Sequence, residues 1–203
     1  MKLFTIVFLI VGGFIVACSY EKTIASSDLL KKEMNENSAV QNSDVLPELK
    51  NPRIVVKKAK RALEVFDGDK LIKTYRMALG FAPTGDKEKQ GDGKTPEGEF
   101  YIFTKNNQSK FYLSLGVSYP NSEDAKRGLD AKIITKNQYD QIVKAQNAKK
   151  APPQNTRLGG EIYIHGGGAS GEDWTWGCVA LDNKNVKELF DRIPVGTMVK
   201  IEP

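Results

Sequence analysis

Short runs of apolar residues, bounded by Gly, Pro, Asn or Asp, recur along the chain from residue 54 to residue 201. Their length and their alternation with polar residues are typical of β-strands. We predict strands over residues 54–56, 62–66, 71–79, 99–104, 111–117, 161–165, 177–181 and 197–201. The sequence therefore indicates a mainly β domain with a few short helices, arranged as a sandwich or a barrel.

Two segments have the period of a helix with one buried face. Thr135 is the predicted N-cap of the first, and its apolar face consists of Tyr139, Ile142 and Val143. The second begins at a predicted capping-box pair, Asn185 and Glu188. Its apolar residues follow at i, i+3, i+4 and i+7, namely Val186, Leu189, Phe190 and Ile193.

The N-terminus has the pattern of an export signal. Lys2 is followed by an apolar run to Ala17, which is shorter than the roughly 18–20 residues that cross a bilayer. The run ends in Ile15-Val16-Ala17-Cys18, which resembles the lipobox of bacterial lipoproteins. In that case residues 1–17 are a signal peptide and Cys18 carries the lipid that binds the membrane. An ordinary signal peptide that happens to contain a cysteine is the alternative.

Polar, weakly periodic sequence follows, so we predict a flexible linker over residues 18–51 and a folded domain over residues 52–203. The chain has 27% charged residues, 40% hydrophobic residues and a formal charge of +5, which suits a globular protein near a polyanionic envelope. It has no basic stripe interleaved with aromatic residues and no nucleic-acid motif, so we do not expect nucleic acid as a partner. We expect a monomer.

The rarest reactive residues point to one candidate site. The chain contains two cysteines, Cys18 and Cys178, and a single histidine, His165. If Cys18 is lipidated, Cys178 has no partner for a disulfide and is either buried and inert or kept for its reactivity. A thiol with a pKa near 8.5 is mostly protonated at neutral pH, and a neighbouring imidazole would convert it to the nucleophilic thiolate. Gly177, directly before Cys178, leaves a backbone amide unobstructed to stabilise an oxyanion.

Three ordered motifs resemble those of the L,D-transpeptidase catalytic domain family. They are the segment from Gly160 to Gly167 with its His-Gly, the segment Trp174-Thr175-Trp176-Gly177-Cys178-Val179-Ala180-Leu181, and an upstream turn, Thr95-Pro96-Glu97-Gly98. The similarity extends from about residue 54 to residue 201. It implies the family's mixed β-sandwich, an enzyme of bacterial cell-wall peptidoglycan, and no metal or other cofactor.

The resemblance also implies roles for individual residues. Cys178 would attack a carbonyl of the stem peptide at diaminopimelate and form a thioester, and His165 would be its base. The backbone carbonyl of Gly166 would orient the imidazole, and the amide of Gly177 would help to hold the oxyanion. Trp176, Tyr119 and Thr175 are candidates for substrate binding, although Tyr119 also suits a turn and we expect at least one of Trp174 and Trp176 in the core. Glu172 and Asp173 lack the spacing of a zinc site.

The sequence departs from the common signature in two places, because Trp176 stands where many members have His and Ala180 where many have Arg or Asn. The pattern is closer to a subgroup that includes hydrolases. Peptidoglycan L,D-transpeptidation is therefore the first interpretation, and hydrolysis of the same or a wall–protein bond by an L,D-carboxypeptidase or amidase is the second. A non-catalytic, envelope-binding lipoprotein is the third. In each case we expect location at the periplasmic face of the envelope, and Ser19 after Cys18 favours the outer membrane in a Gram-negative cell.

Overall fold

The computed structural model describes residues 45–169 and 171–203, and the predicted signal peptide and Cys18 lie outside them. The elements in chain order are β1 (Pro52–Lys57), β2 (Ala62–Asp67), β3 (Lys70–Arg76), β4 (Gly98–Ser109), β5 (Tyr112–Val117), α1 (Ser122–Asp130), α2 (Lys136–Asn147), β6 (Tyr163–His165), β7 (Val179–Ala180), α3 (Asn183–Arg192) and β8 (Met198–Glu202). The predicted mainly β fold with a few short helices is confirmed. Within the described ranges, no helix is both long and apolar enough to cross a membrane.

The long strand β4 joins the two halves of the sheet, whose order is β3-β2-β1-β8-β4-β5-β6-β7. Its first residues pair with β8 and its remainder pairs with β5, with irregular register between Ile102 and Thr104. Such irregularities bend a strand and let a sheet curve. Both halves and α3 therefore bury their apolar faces in one core, to which Val56, Phe100, Leu115, Ile164 and Leu189 all contribute.

A smaller apolar cluster lies beneath α1 and α2. Ala125, Ile142 and Leu158 form it with Ile134, and Tyr139 packs against it. The Thr135 cap is present, since its hydroxyl accepts a hydrogen bond from the Gln138 amide. The sequence pattern does not predict helix α1, because its buried face is formed largely by short and charged side chains. Asn121 and Asp124 form its capping box.

The predicted Asn185–Glu188 capping box is wrong. Helix α3 begins after Asp182, so Asn185 already lies within the helix. Glu188 instead lies in the interior, where its Oε2 accepts hydrogen bonds from Tyr75 Oη at 2.9 Å and Lys73 Nζ at 2.7 Å. In the sequence, a glutamate that completes a capping box and a glutamate buried on the apolar face of a helix can have the same spacing. Only the hydrogen-bond partners of the carboxylate distinguish the two cases.

The ordered domain begins before the predicted boundary at residue 52. Leu46 is fully buried in the main core, and its backbone N–H donates to Glu188 Oε2 at 3.1 Å. Arg192 donates from Nε to the Leu46 carbonyl at 3.2 Å and forms an ion pair with Glu48. Leu46 and Glu48, in the segment predicted as the end of a flexible linker, therefore contact α3 as part of the domain.

Candidate active site

Cys178 follows a tight turn that Thr175 holds together. The Thr175 side chain is buried, and its Oγ1 accepts from the Gly177 N–H at 3.1 Å and donates to the Cys178 carbonyl at 2.8 Å. The backbone of Thr175 is itself fixed, because its N–H donates to the Leu79 carbonyl at 3.0 Å and its carbonyl accepts from Phe81 at 2.9 Å. Thr175 therefore shapes the turn from within, contrary to its prediction as a substrate contact.

Gly177 is required by the close approach of the upstream Thr-Pro-Glu-Gly turn. Its φ is +122°, and a Cβ at this position would lie 2.6 Å from the carbonyl oxygen of Lys94. Gly80 is crowded from the same direction, since a Cβ there would lie 2.1 Å from the Gly93 oxygen. Thr95 Oγ1 accepts from the Gly80 N–H at 3.0 Å. The segment that leads into the Thr-Pro-Glu-Gly turn thus packs against the Gly177-Cys178 motif.

The sulfur of Cys178 contacts the backbone at the start of β6. Its Sγ accepts from the Tyr163 N–H and donates to the Glu161 carbonyl, each at 3.4 Å. Glu161 has a φ of +55°, which turns the chain out of the strand and explains why β6 begins two residues after the predicted position. Although Cys178 reaches the surface in part, burial raises the pKa of its thiol to about 11. The resting side chain is therefore a neutral thiol.

His165 lies at the end of β6 under an aromatic cover. It is 3% exposed, its ring stacks on Phe111 with centroids 4.7 Å apart, and Trp174 meets it edge-on at 5.7 Å. Its Nδ1 is 2.6 Å from the Gly166 carbonyl, the contact that the family resemblance implies. Burial lowers the pKa of His165, against the opposing effect of that hydrogen bond. The imidazole is neutral at pH 7, with Nδ1 donating and Nε2 left as the basic atom.

The two candidate catalytic residues lie on adjoining segments of the backbone. His165 is the register partner of Ala180 in β7, and Cys178 lies directly before β7, two residues ahead of Ala180. Among the hydrogen bonds of the described residues, the sulfur makes none with the imidazole. The sulfur is instead turned toward the Glu161 carbonyl.

A pocket of about 370 Å³ opens beside the sulfur. Cys178, Lys87, Gln154, Glu161 and Trp176 are among its lining residues. Trp176 is 72% exposed and packs edge-on against Phe81, with ring centroids 5.0 Å apart. It lines this pocket, and its role in substrate binding stays a prediction. Trp174 is also exposed, so the expectation that one of the two tryptophans lies in the core is wrong.

Tyr119 does not line a donor site. Its side chain is fully buried in the main core, and its hydroxyl donates to the Leu158 carbonyl at 3.1 Å. The Gly177 amide also has a different partner from the predicted oxyanion, namely Thr175 Oγ1. Its role in oxyanion binding remains a prediction that requires this bond to be exchanged.

Sequence reasoning missed Lys87, Asp92 and Phe111. Lys87 is one of several lysines in a polar loop, and nothing in the sequence distinguishes it from Lys89, which is exposed, or from Lys94, which is half-buried. Phe111 was predicted only as a strand residue, because its stacking on His165 depends on the pairing of β5 with β6.

The acidic residues near the site are engaged in structural contacts. Asp173 accepts from Arg61 at 2.6 Å and from the Leu79 N–H at 2.8 Å, which fixes the start of the Cys178 turn. Across residues 45–169 and 171–203 there is no cluster of three or more His, Cys, Asp or Glu that would hold a metal ion.

Known proteins share this fold. "Putative L,D-transpeptidase YafK" of Escherichia coli strain K12 is 24% identical over 157 residues, which cover 74% of this chain and 50% of that protein. The chain thus spans about half the length of the curated relatives it matches.

Among solved structures, the helical cell shape determining protein Pgp2 of Campylobacter jejuni is similar, with 24% identity and a TM-score of 0.51 over 81% of this chain and 53% of that one. Bd1075 of Bdellovibrio bacteriovorus also has 24% identity, with a TM-score of 0.50 over 78% of this chain and 51% of that one. At this level of identity the structural likeness concerns the fold. The sequence match to the L,D-transpeptidase catalytic domain, called YkuD, covers residues 51–201. The chain therefore belongs to the L,D-transpeptidase catalytic domain family.

Proposed function

We propose that this domain is a cysteine acyltransferase that acts on the stem peptides of peptidoglycan. The observation that carries the proposal is the placement of His165 at the end of β6 and of Cys178 directly before the neighbouring strand β7, where the sulfur lines an open pocket. Membership of the family supports the substrate class. The description of Pgp2 as determining cell shape supports an action on the wall.

The acylation step begins when the Cys178 side chain rotates away from the Glu161 carbonyl. The thiol gives its proton to Nε2 of His165, and the sulfur attacks the diaminopimelate carbonyl of the bond to D-alanine. A carbon–sulfur bond forms as the carbon–nitrogen bond breaks, and the imidazolium returns the proton to the leaving amine. The Gly166 carbonyl stabilises the imidazolium through the 2.6 Å contact with Nδ1.

The second step transfers the acyl group from the sulfur. An acceptor amine gives a proton to His165 and attacks the thioester carbonyl, and Cys178 leaves as the thiolate. Water in place of the amine gives hydrolysis by the same residues, so transpeptidase and carboxypeptidase differ only in which acceptor reaches the thioester. We assign the oxyanion to the N–H of Cys178, because the N–H of Gly177 is already bonded to Thr175.

The test uses the mature chain with Cys18→Ser, so that Cys178 is the one thiol present. We expect incubation with tetrapeptide muropeptides to release D-alanine and to produce a covalent adduct of Cys178, both detected by mass. A D-amino acid added in excess should appear in the product if the enzyme is a transpeptidase, whereas the tripeptide alone indicates hydrolysis. Cys178→Ala should give neither product nor adduct. A folded Cys18→Ser protein that does the same would leave the non-catalytic lipoprotein as the better interpretation.

We also propose, from the sequence alone, that Cys18 is lipidated and anchors the protein at the periplasmic face of the envelope. The expected result is that the wild-type chain sediments with membranes and that Cys18→Ser is released or left unprocessed. A Ser19→Asp variant is the matched control, because it changes the residue after the anchor and retains the lipid. Processed wild-type protein in the soluble fraction would contradict the anchor without bearing on the chemistry of Cys178.

A further inference from the structure

A buried ammonium group stands in the wall of the sulfur pocket. Lys87 is 3% exposed, and its Nζ donates to Asp92 Oδ1 at 2.7 Å and to the Lys89 carbonyl at 3.1 Å. Lysine is rarely buried to this extent unless its charge is paired or has a function. Those two contacts use two of its three N–H donors.

Asp92 pairs with Lys87 but does not belong to it alone. Its carboxylate also accepts from the backbone N–H groups of Glu88 at 2.8 Å, Lys89 at 3.0 Å and Lys94 at 3.1 Å. Burial by itself would raise the pKa of Asp92, but the bonds from Lys87 and these amides lower it below its ordinary value. Asp92 is thus held in place by several donors, of which Lys87 is the charged one.

Lys87 borders the space through which a peptide would reach the sulfur. Lys87 and Cys178 line the same pocket, and the positive charge of Lys87 acts to lower the pKa of the thiol, opposing burial. The pocket wall at Gly159 has no side chain, and a Cβ there would lie 3.5 Å from Lys87 Cε. By contrast Ala180, where many family members carry Arg or Asn, is fully buried and uncharged.

We propose that Lys87 is a specificity-determining residue, which binds a carboxylate of the peptide donor and so selects acidic peptides for attack by Cys178. The inference rests on the proposed function for its substrate. The chemistry that it requires of any ligand is a negative charge within a few ångströms of the carbon that the sulfur attacks. A purely structural lysine, present only to hold Asp92 and its loop, would show no such preference.

The first experiment compares two small alkylating reagents of the same reactivity class, iodoacetate and iodoacetamide, on the mature chain with Cys18→Ser. Both react with the thiolate, so the ratio of their rates cancels the thiolate fraction and reports the local charge. We expect Lys87→Gln to lower the iodoacetate-to-iodoacetamide ratio about tenfold, the effect of one unit charge at roughly 10 Å in a partly polar medium. Lys87→Arg should keep most of the ratio.

Lys89→Gln is the matched control, because it removes the same charge from an exposed position two residues away. We expect it to leave the ratio within twofold of the wild type. If Lys87→Gln fails to fold, the double variant Lys87→Gln with Asp92→Asn is compared with Asp92→Asn alone, because those two proteins differ only by the charge of Lys87 and neither contains an unpaired buried carboxylate. An unchanged ratio in either folded Lys87 variant would overturn the proposal.

The second experiment uses muropeptides with free or amidated carboxylates. We expect Lys87→Gln to raise KM for the free acid about tenfold with a smaller change in kcat, and to leave KM for the amide nearly unchanged. Equal effects on both peptides would indicate a structural role and would also overturn the proposal. Because the alkylation ratio needs no turnover, a protein inactive on muropeptides would refute the proposed function while the charge preference of the pocket is still measured.

Discussion

His165 ends β6 and Cys178 lies directly before the neighbouring strand β7, and the protein surrounds the two side chains in different ways. The sulfur lies at an open, polar pocket, where backbone groups of Tyr163 and Glu161 contact it and the ammonium of Lys87 is nearby. The imidazole lies beneath the rings of Phe111 and Trp174 and is almost inaccessible.

This difference separates two tasks that the reaction imposes. The sulfur side must admit and sort a peptide, which favours space, hydrogen-bond donors and a fixed charge. The imidazole side must move a proton at neutral pH, which favours a buried neutral ring held in one tautomer by a carbonyl.

The largest expected effect comes from removing the base on the imidazole side. His165→Gln should lower the rate of single-turnover acylation by about 10²–10⁴-fold, because the thiol, with its pKa near 11, is then almost never deprotonated at pH 7. Quenched-flow mass measurement of the adduct tests this. Phe111→Leu keeps the histidine and serves as the control. A His165→Gln enzyme that acylates at the wild-type rate would show that another group activates the sulfur.

The next effect concerns the rigidity of the sulfur side. Gly177→Ala should cost about 2–4 kcal/mol of folding stability, since it adds a clash with the Lys94 carbonyl to the strain of a positive φ. Gly196→Ala is the matched control, because its φ is +93° and a Cβ there would meet nothing within 4 Å. Urea denaturation of the two variants measures the difference. Equal losses would mean that the turn yields without cost and that the contact between the two motifs is not restrictive.

A smaller effect should appear in the pH dependence. Burial lowers the pKa of His165 from its ordinary value of about 6.5. The imidazole therefore stays deprotonated, and can act as a base, at pH values somewhat below 6.5. Trp174→Ala uncovers the ring, should return the pKa toward 6.5, and should therefore lower the rate at pH 6 severalfold relative to pH 8. The pH profile of acylation tests the shift. Trp176→Ala, on the sulfur side, should raise KM a few-fold and leave the acidic limb in place.

The sequence was informative where chemistry and local geometry coincide. The single histidine, the one thiol outside the N-terminal segment and the glycines beside them identified both reactive residues and the family, because side chains of these types are rarely combined for packing alone. Strand positions were also predictable, since alternating burial determines them. Each predicted strand is present, although the ends differ. Ala78 and Leu79, for example, lie beyond the end of β3 and bond to the backbone of Ala180 and Thr175.

What the sequence could not supply depends on long-range contacts. From the sequence, Tyr119 is a candidate for a residue of the substrate pocket, but in the structure its hydroxyl donates to the Leu158 carbonyl in the interior. From the sequence, Lys87 cannot be distinguished from a surface lysine, because only the folded loop places its ammonium group against Asp92. Buried polar groups such as these are recognised by their partners, which lie far away in the sequence or within a loop of irregular shape.

The packing of Leu46 sets the minimum length of any useful fragment of this domain. A recombinant domain cut at Pro52, where the strand pattern starts, would remove a fully buried leucine, whose burial contributes about 1.5–3 kcal/mol. It would also remove the Leu46 N–H, one of the hydrogen-bond donors to Oε2 of the buried Glu188 carboxylate. The other oxygen of that carboxylate, Oε1, has no hydrogen-bond partner among the described residues. Crystallisation and inhibitor screening should therefore start from fragments that retain the residues ahead of Leu46.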